Sequence, residues 1–171
     1  MRKSVLALMF CLFAASNAMA GPYGVTLGYG EGNNGIEIYR FGVTRDFQVQ
    51  WFENETGFLS GYFELSYNHW TKGGDDVNGV ALSPVFAYYF NAGDQTVRPY
   101  VEAGIGVAYI DETRINGRNM SSNFQFEDRI GAGIKIKALD LNLRYMHYSN
   151  AGIEAPNDGI DIIMGTLGWS F

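Results

Sequence analysis

The sequence predicts an all-β protein, an eight-stranded antiparallel transmembrane β-barrel of the outer-membrane type. Apolar and polar residues alternate along eight segments, as they do when successive side chains point to opposite faces of a strand. The chain contains 11 Tyr, 12 Phe and 22 Gly but only 4 Pro, a composition that favours strands over a helical core. Its mean hydropathy is −0.08, which suits a barrel whose lipid-facing and lumen-facing residues average out.

Residues 1–20 are predicted to be a secretory signal peptide, so the barrel would comprise residues 21–171. Positions 2–3 are basic, positions 5–15 are apolar and positions 18–20 form an A-x-A cleavage site. An uncleaved anchor is the alternative, but the apolar run is too short for a transmembrane helix and no stop-transfer pattern follows. The only cysteine, Cys11, lies in the signal, so the mature chain would have no disulfide and no thiolate nucleophile.

The charge of the mature chain argues against a nucleic-acid partner. The signal carries two of the twelve Lys and Arg residues, which leaves ten against eighteen Asp and Glu and a net charge of about −8. No basic patch could balance phosphates on such a surface. The sequence has no cluster with metal-ligand spacing and no glycine loop in the context of a phosphate cradle, so we expect no metal and no other cofactor.

The eight segments are separated by connections rich in turn-forming residues. The predicted strands cover residues 23–30, 36–51, 58–70, 80–90, 97–111, 122–137, 141–149 and 160–171. Their apolar faces consist, in chain order, of Tyr23, Val25, Leu27 and Tyr29; Tyr39, Phe41, Val43, Phe47, Val49 and Trp51; Leu59, Phe63, Leu65 and Tyr67; Leu82, Phe86, Tyr88 and Phe90; Val97, Val101, Ala103, Ile105, Val107 and Tyr109; Phe124, Phe126, Ile130, Ala132, Ile134 and Ile136; Leu141, Leu143 and Tyr145; Ile163, Leu167, Trp169 and Phe171. Arg45 interrupts the second face, which indicates a bulge or a different register there.

Alternation alone does not decide which face is buried, because a soluble sandwich or a lipocalin-like barrel also alternates. Two features favour the membrane barrel. Residues 167–171 alternate and end in an aromatic residue, which resembles the terminal strand by which bacterial outer-membrane barrels are recognised for assembly. Aromatic residues also gather near strand ends, where membrane girdles lie. The narrow interior would then be filled by paired ions and would not form a pore; the candidates are Arg98, Glu102, Arg129, Lys135 and Arg144.

A polar pair on the seventh predicted strand is the main candidate for chemistry. His147 and Ser149 share a face with Leu143, opposite to Arg144, so they would point outward into lipid near the outer-leaflet end. Polar residues in that position are costly and therefore indicate function. Residues two apart on a strand lie about 6.5–7 Å apart at the backbone, a gap that an imidazole can bridge to accept a serine proton.

Asp161 would complete a triad with this pair. It begins the eighth predicted strand, faces outward by the same parity, and lies on the antiparallel neighbour of the strand that carries His147. The alternative interpretation is that a His and a Ser near a strand end are ordinary interfacial residues. His69, at another outer strand end, is interpreted as interfacial.

The run His-Tyr-Ser-Asn-Ala-Gly at residues 147–152, followed by Pro-Asn-Asp-Gly at 156–159, closely resembles the signature of the lipid A 3-O-deacylase (PagL) family. Residues 103–107 and 126–133 extend the resemblance to most of the mature chain. The resemblance implies an eight-stranded outer-membrane barrel without cofactors. It implies an enzyme that removes the ester-linked 3-hydroxyacyl chain from position 3 of lipid A in the lipopolysaccharide of the outer leaflet.

What the resemblance implies for the site is a serine-esterase mechanism. Ser149 would attack the ester, His147 would transfer the proton and an acid would orient the imidazole. Asn150 and a backbone N–H around Gly152 would stabilise the oxyanion, each donor contributing about 3–4 kcal/mol in the transition state. The family has Glu where this chain has Asp161, one methylene shorter, and Glu154 in the preceding loop is the alternative acid.

Some alternatives stay open at this point. Asp128, on the strand next to the pair, is either a supporting partner of the site or one half of an interfacial Asp/Arg pair. The protein could instead be an outer-membrane phospholipase with a His-x-Ser-Asn arrangement, or a non-enzymatic structural or adhesion barrel. The sequence is compatible with a homodimer.

Overall fold

The computed structural model describes residues 21–91, 93 and 96–171, and the predicted signal peptide lies outside the described residues. Its strands are β1 (Tyr23–Gly32), β2 (Ile36–Asp46), β3 (Gly57–Lys72), β4 (Asp75–Phe90), β5 (Val97–Ile110), β6 (Arg114–Ile115), β7 (Arg118–Asn119), β8 (Phe124–Ile136), β9 (Leu139–Ser149) and β10 (Ile160–Ser170). A 3-10 turn at Asn33–Gly35 joins β1 to β2. No helix within the described residues is long and apolar enough to cross a membrane.

Eight of these strands close into one barrel in the order β1-β10-β9-β8-β5-β4-β3-β2. Every neighbouring pair is antiparallel, and β10 pairs with β1 to complete the ring. A closed sheet leaves no edge of unpaired backbone groups, which is the condition for a sheet in lipid. The predicted fold class is therefore confirmed. The short hairpin β6–β7 was not predicted; it lies in the connection between β5 and β8, at the end of the barrel opposite to residues 21 and 171, termed here the outer end.

The apolar side of the sheet faces outward. Leu65, Ile105, Leu143 and Ile163 are 57–66% exposed although they lie in the middle or outer half of barrel strands. A soluble barrel would bury these side chains, whereas a membrane barrel presents them to lipid. The outward apolar wall therefore contradicts the lipocalin-like alternative.

The barrel interior is filled by a buried network of ions. Arg40 lies 2.8 Å from Glu127 and 3.1 Å from Glu64, and Arg144 lies 3.3 Å from Glu64. Arg129 contacts both glutamates. Burying single ions costs several kcal/mol each, so the network holds only because its members neutralise one another.

The predicted lumen ions all lie on the inner face. Glu102, Arg129 and Arg144 are fully buried, while Arg98 and Lys135 are half-exposed nearer the end that holds both described termini. Above the ions, toward the outer end, the interior becomes apolar. There the rings of Trp70 and Tyr148 pack edge to face with centroids 4.9 Å apart. This layer supports β9 from within the barrel.

The predicted second strand was too long. β2 ends at Asp46, and Trp51 forms only an isolated bridge to Leu59. The alternation beyond Asp46 reflects packing of aromatic rings, because the ring of Phe47 lies 5.0 Å from that of Phe63.

Neither the bulge nor the different register considered for Arg45 is present. Arg45 pairs in regular register with Tyr23 and Phe63, and its guanidinium lies 5.9 Å from the centre of the Tyr23 ring. It is an outward-facing cation at the end of the strand, where a long side chain can reach water. The tight turn between β8 and β9 falls at Lys137 and Ala138, with Lys137 at φ 53°, slightly before its predicted position.

Candidate active site

His147 and Asp161 lie directly opposite each other on β9 and β10. Directly opposed residues of an antiparallel pair have Cβ atoms about 4.5–5.5 Å apart, so even a short side chain can reach its neighbour. Imidazole Nδ1 lies 2.7 Å from carboxylate Oδ1, and the two side chains are 36% and 41% exposed. The Asp161 carboxylate therefore reaches the imidazole directly across the β9–β10 pair.

The pair lies on the outer wall of the barrel. His147 alternates with Met146 and Tyr148, which are fully buried in the interior, and it follows the exposed Tyr145 on the outward face. The imidazole consequently points away from the barrel lumen, at the outer end of β9.

Ser149 is the last residue of β9 and lies on the same outward face as His147. It pairs with Phe126 of β8 and is half-buried. Its hydroxyl makes no hydrogen bond to any residue that the structure describes. An ionised Asp161 accepts a hydrogen bond from Nδ1–H, which leaves the lone pair of the neutral ring on Nε2, the nitrogen available to a serine hydroxyl.

Two further residues, for which the sequence gives no functional signal, also bind Asp161. The hydroxyl of Tyr145 donates to Oδ1 at 2.5 Å, and Nδ2 of Asn33 donates to Oδ2 at 3.4 Å. The backbone N–H of Asp161 in turn donates to Oδ1 of Asn33 at 2.5 Å. In the sequence Asn33 shows only a turn-forming signal, and Tyr145 shows only an outward aromatic position.

Asn150 is fully buried, and its amide is used within the loop that follows β9. Nδ2 donates to the carbonyls of Met120 at 3.0 Å and Glu154 at 2.9 Å, while Oδ1 accepts the N–H of Gly152 at 2.9 Å. The backbone N–H of Asn150 donates to Asn157 at 3.2 Å. The amide of Asn150 is thus satisfied within the loop in this structure, and the oxyanion role of Asn150 and of a backbone N–H around Gly152 stays a prediction.

Glu154, the alternative acid, is not brought to His147. Its side chain is exposed, and its part in the loop is the backbone carbonyl that Asn150 binds. The loop turns back through Ala151 and Gly152, which both have positive φ. Of the two candidate acids, the structure brings only Asp161 to the imidazole.

The β6–β7 hairpin packs on the same loop. Arg118 donates Nε to the carbonyl of Gly159 at 2.7 Å, and the backbone N–H of Asn119 donates to Asp158 at 2.7 Å. Ser121 adds a contact to the carbonyl of Pro156 at 2.5 Å. Two connections distant in sequence therefore form one layer beside the candidate site.

Asp128 pairs with His147 from the other side, across β8 and β9. It forms no ion pair with an arginine in the described part of the chain, because Arg129 points into the barrel. This contradicts the Asp/Arg alternative. Asp128 lines an apolar groove of about 640 Å³ on the outer wall, together with residues that include Pro84, Ala103, Ile105, Ile130, Tyr145 and His147.

His69 lies on β3, away from these strands, with Nδ1 3.0 Å from Oδ1 of Asn78. It is not part of the site. Among residues 21–91, 93 and 96–171, no group of three or more His, Cys, Asp or Glu side chains is placed to hold a metal ion.

Comparison with known proteins gives one consistent result. The family model of the lipid A 3-O-deacylases (PagL) matches residues 28–170. The chain is 41% identical to the lipid A deacylase PagL of Pseudomonas aeruginosa over 92% of its own length and 90% of that protein. It is 31% identical to the lipid A deacylase PagL of Bordetella bronchiseptica, over 99% and 96% of the two chains.

A crystal structure of the outer membrane enzyme PagL superposes with a TM-score of 0.82 at 36% identity, covering 86% of this chain and 99% of the other. Sequence match and barrel geometry thus agree along nearly the whole described chain. The chain belongs to the lipid A 3-O-deacylase (PagL) family.

Proposed function

We propose that this outer-membrane barrel hydrolyses the ester-linked 3-hydroxyacyl chain at position 3 of lipid A, with Ser149 as nucleophile, His147 as general base and Asp161 as the orienting acid. The observation that carries the proposal is the 2.7 Å contact between His147 and Asp161 on the lipid-facing wall. Polar side chains on the outward wall of a membrane barrel are costly, and here a directly opposed imidazole and carboxylate lie at 2.7 Å beside a serine on the same face, which favours a catalytic role.

The proposed chemistry is an acyl transfer in two steps. Nε2 of His147 accepts the proton of the Ser149 hydroxyl as Oγ attacks the ester carbonyl. The imidazolium, stabilised by Asp161, then returns this proton to the departing sugar oxygen, leaving an acyl-serine. Water, deprotonated by the same imidazole, attacks the acyl-serine and releases a free 3-hydroxy fatty acid, while the proton goes back to Ser149.

The position of the site suits a substrate that stays in the membrane. An ester near the headgroup region of the outer leaflet can approach the outward face of β9 from the side, without entering the barrel. The groove that begins at His147 is apolar and about 640 Å³ in volume, so it can hold part of an acyl chain against the wall. The interior, filled with ions, offers no such route.

For Asn150 and Gly152 we propose a structural role in addition to the expected oxyanion role. The amide of Asn150 ties Met120, Gly152 and Glu154 together behind Ser149. This arrangement holds together the turn that immediately follows the nucleophile.

The test is product analysis on the purified full chain in detergent micelles. Lipid A and phosphatidylethanolamine are supplied separately, and products are weighed by mass spectrometry. We expect loss of one 3-hydroxyacyl chain from lipid A, reduced about 10³-fold or more by Ser149→Ala or His147→Ala. His69→Ala is the matched control, since it removes another outer-end histidine that lies outside the site.

Any other result of this experiment would indicate a different function. Lysophospholipid alone would replace the proposal with a phospholipase. Loss of neither substrate, or Ser149→Ala with full activity, would leave a non-enzymatic barrel or a different nucleophile.

A further inference from the structure

The turn between β1 and β2 contacts Asp161, the proposed acid of the site, on the neighbouring strand β10. The β1–β10 ladder ends at the pair Gly32–Ile162, so Asp161 is the first residue beyond it. At this position the hydrogen bond is made by the side chain of Asn33 and not by the backbone of β1: its Oδ1 accepts the backbone N–H of Asp161 at 2.5 Å. The same amide donates Nδ2 to the carboxylate Oδ2 at 3.4 Å. One side chain thus binds both the backbone and the carboxylate of Asp161.

Tyr145 holds the other side of the carboxylate. Its hydroxyl donates to Oδ1 at 2.5 Å, the same oxygen that lies 2.7 Å from Nδ1 of His147. Tyr145 stands two residues before His147 on the outward face of β9. The carboxylate therefore has a donor on Oδ2 and two on Oδ1, contributed by three separate positions of the chain.

An aspartate at this position needs such restraint. The Asp161 side chain is 41% exposed, and rotation about χ2 of an aspartate is broad and weakly restricted. A carboxylate that turns freely would present Oδ1 to the imidazole for only part of the time. Donors on both oxygens select the orientation in which Oδ1 meets Nδ1, and they satisfy the charge on a lipid-facing wall.

We propose that Asn33 and Tyr145 are positioning residues that orient the Asp161 carboxylate toward His147, and through it set the imidazole for the reaction. This inference rests on the proposed function. Neither side chain takes part in bond making. Their effect is to raise the fraction of molecules in which base and acid are aligned. Losing either side chain is therefore expected to lower kcat and to leave KM unchanged.

The experiment is a pair of double-mutant cycles on the purified full chain, with kcat and KM measured on lipid A in detergent micelles. The single variants are Asn33→Ala, Tyr145→Phe and Asp161→Ala, and the doubles combine each of the first two with the third. We expect Asn33→Ala and Tyr145→Phe each to lower kcat about tenfold with KM unchanged. In the Asp161→Ala background neither should lower kcat further, because the group through which they act is gone.

Controls separate positioning from folding. Asn34→Gly changes the neighbouring residue of the same turn, keeps its positive φ of 59° accessible, and removes no contact to Asp161, so it should leave kcat unchanged. Asn33→Asp retains the acceptor for the Asp161 N–H but replaces the donor by a second carboxylate, and should lower kcat more than Asn33→Ala does. Barrel folding is read for every variant from the heat-dependent shift in gel mobility.

Failure of the proposed triad and failure of the positioning role give different results. If Asp161→Ala has wild-type kcat, the proposed triad is wrong. If Asp161→Ala is impaired but Asn33→Ala and Tyr145→Phe are not, the triad stands and the positioning role is refuted. Equal fold-losses in both backgrounds, or losses expressed in KM, would refute it as well.

Discussion

Gly159 forms a wall of the site against His147: a methyl group added to the glycine would lie 2.9 Å from Cε1 of the imidazole and 3.4 Å from Nε2. The opposite nitrogen, Nδ1, faces Asp161. The ring is therefore confined between a carboxylate on β10 and the backbone at the end of the preceding loop. Because Arg118 holds the Gly159 carbonyl at 2.7 Å, the position of this wall depends on the β6–β7 hairpin.

Gly159→Ala should impair catalysis while the barrel still folds. The added methyl group meets the imidazole, and the positive φ of 59° is unfavourable for alanine. Displacing the base by about 1 Å can cost about 10²-fold in rate, so we expect a loss of this order in kcat on lipid A. Gly73→Ala is the matched control: its φ is 64° and nothing lies within 4 Å of the added methyl. A Gly159→Ala enzyme as active as Gly73→Ala would show that the ring has room to move.

Arg118→Ala should also lower kcat, because Arg118 holds Gly159 in position beside His147. Without the guanidinium, the Gly159 carbonyl loses its 2.7 Å hydrogen bond and the loop is freer to move away from His147. We expect a fall of about five- to twentyfold, consistent with loss of a charge-assisted hydrogen bond worth about 1–2 kcal/mol. Arg114→Ala removes an exposed arginine of the same hairpin and should have no effect. Equal losses in the two variants would indicate that general surface charge, and not the Gly159 contact, is responsible.

Alternation was sufficient to predict the barrel and the direction of the side chains on it. Side chains on a strand alternate strictly, so a single arginine such as Arg144 assigns every odd position of β9 to the outer wall, His147 and Ser149 included. The predicted neighbourhood of Asp161 and His147 follows from the same rule, because β9 and β10 are consecutive and antiparallel. The alternation of apolar and polar residues was therefore enough to predict the fold and the proximity of His147 and Asp161.

What alternation could not predict are contacts between distant segments and within loops. Asn33 and Asp161 are 128 positions apart, and nothing in a two-asparagine turn specifies which carboxylate it will meet. The β6–β7 hairpin has only two residues in each strand, too few for a periodic signal. The hydrogen bonds of Asn150 to the loop carbonyls were not predicted either, because its burial is a property of the packed loops.

Leu65→Arg should destabilise the barrel in a membrane. Leu65 is 57% exposed near the middle of β3, on the outward face. An arginine substituted there would therefore contact lipid tails. An arginine on the lipid-facing midplane of a barrel costs about 2–4 kcal/mol. Urea unfolding in phosphatidylcholine vesicles, followed by tryptophan fluorescence, measures the loss. Arg45→Leu at the strand end of β2 is the comparison, and we expect a change below about 1 kcal/mol there. A Leu65→Arg barrel of unchanged stability would mean that this face is not covered by lipid.

Glu64→Gln should strongly destabilise the barrel interior. One carboxylate oxygen of Glu64 contacts Arg40, Arg129 and Arg144, and the other accepts the hydroxyl of Thr26 at 3.0 Å. The amide keeps the shape but removes the negative charge, which leaves three buried guanidinium groups with too little compensation. Breaking such a buried network costs about 3–5 kcal/mol, measurable by urea unfolding in vesicles.

Glu37→Gln provides the surface control for that measurement. Glu37 lies on the outward face of β2 and accepts the hydroxyl of Tyr29 at 3.0 Å, in an exposed position where a single polar contact contributes about 0–1 kcal/mol. If Glu64→Gln cost no more than Glu37→Gln, the interior would have to admit water, because only solvent could replace the lost charge around three arginines. The barrel would then be hydrated at its centre, and the rigidity that β9 derives from the packed interior would have to come from the loops instead.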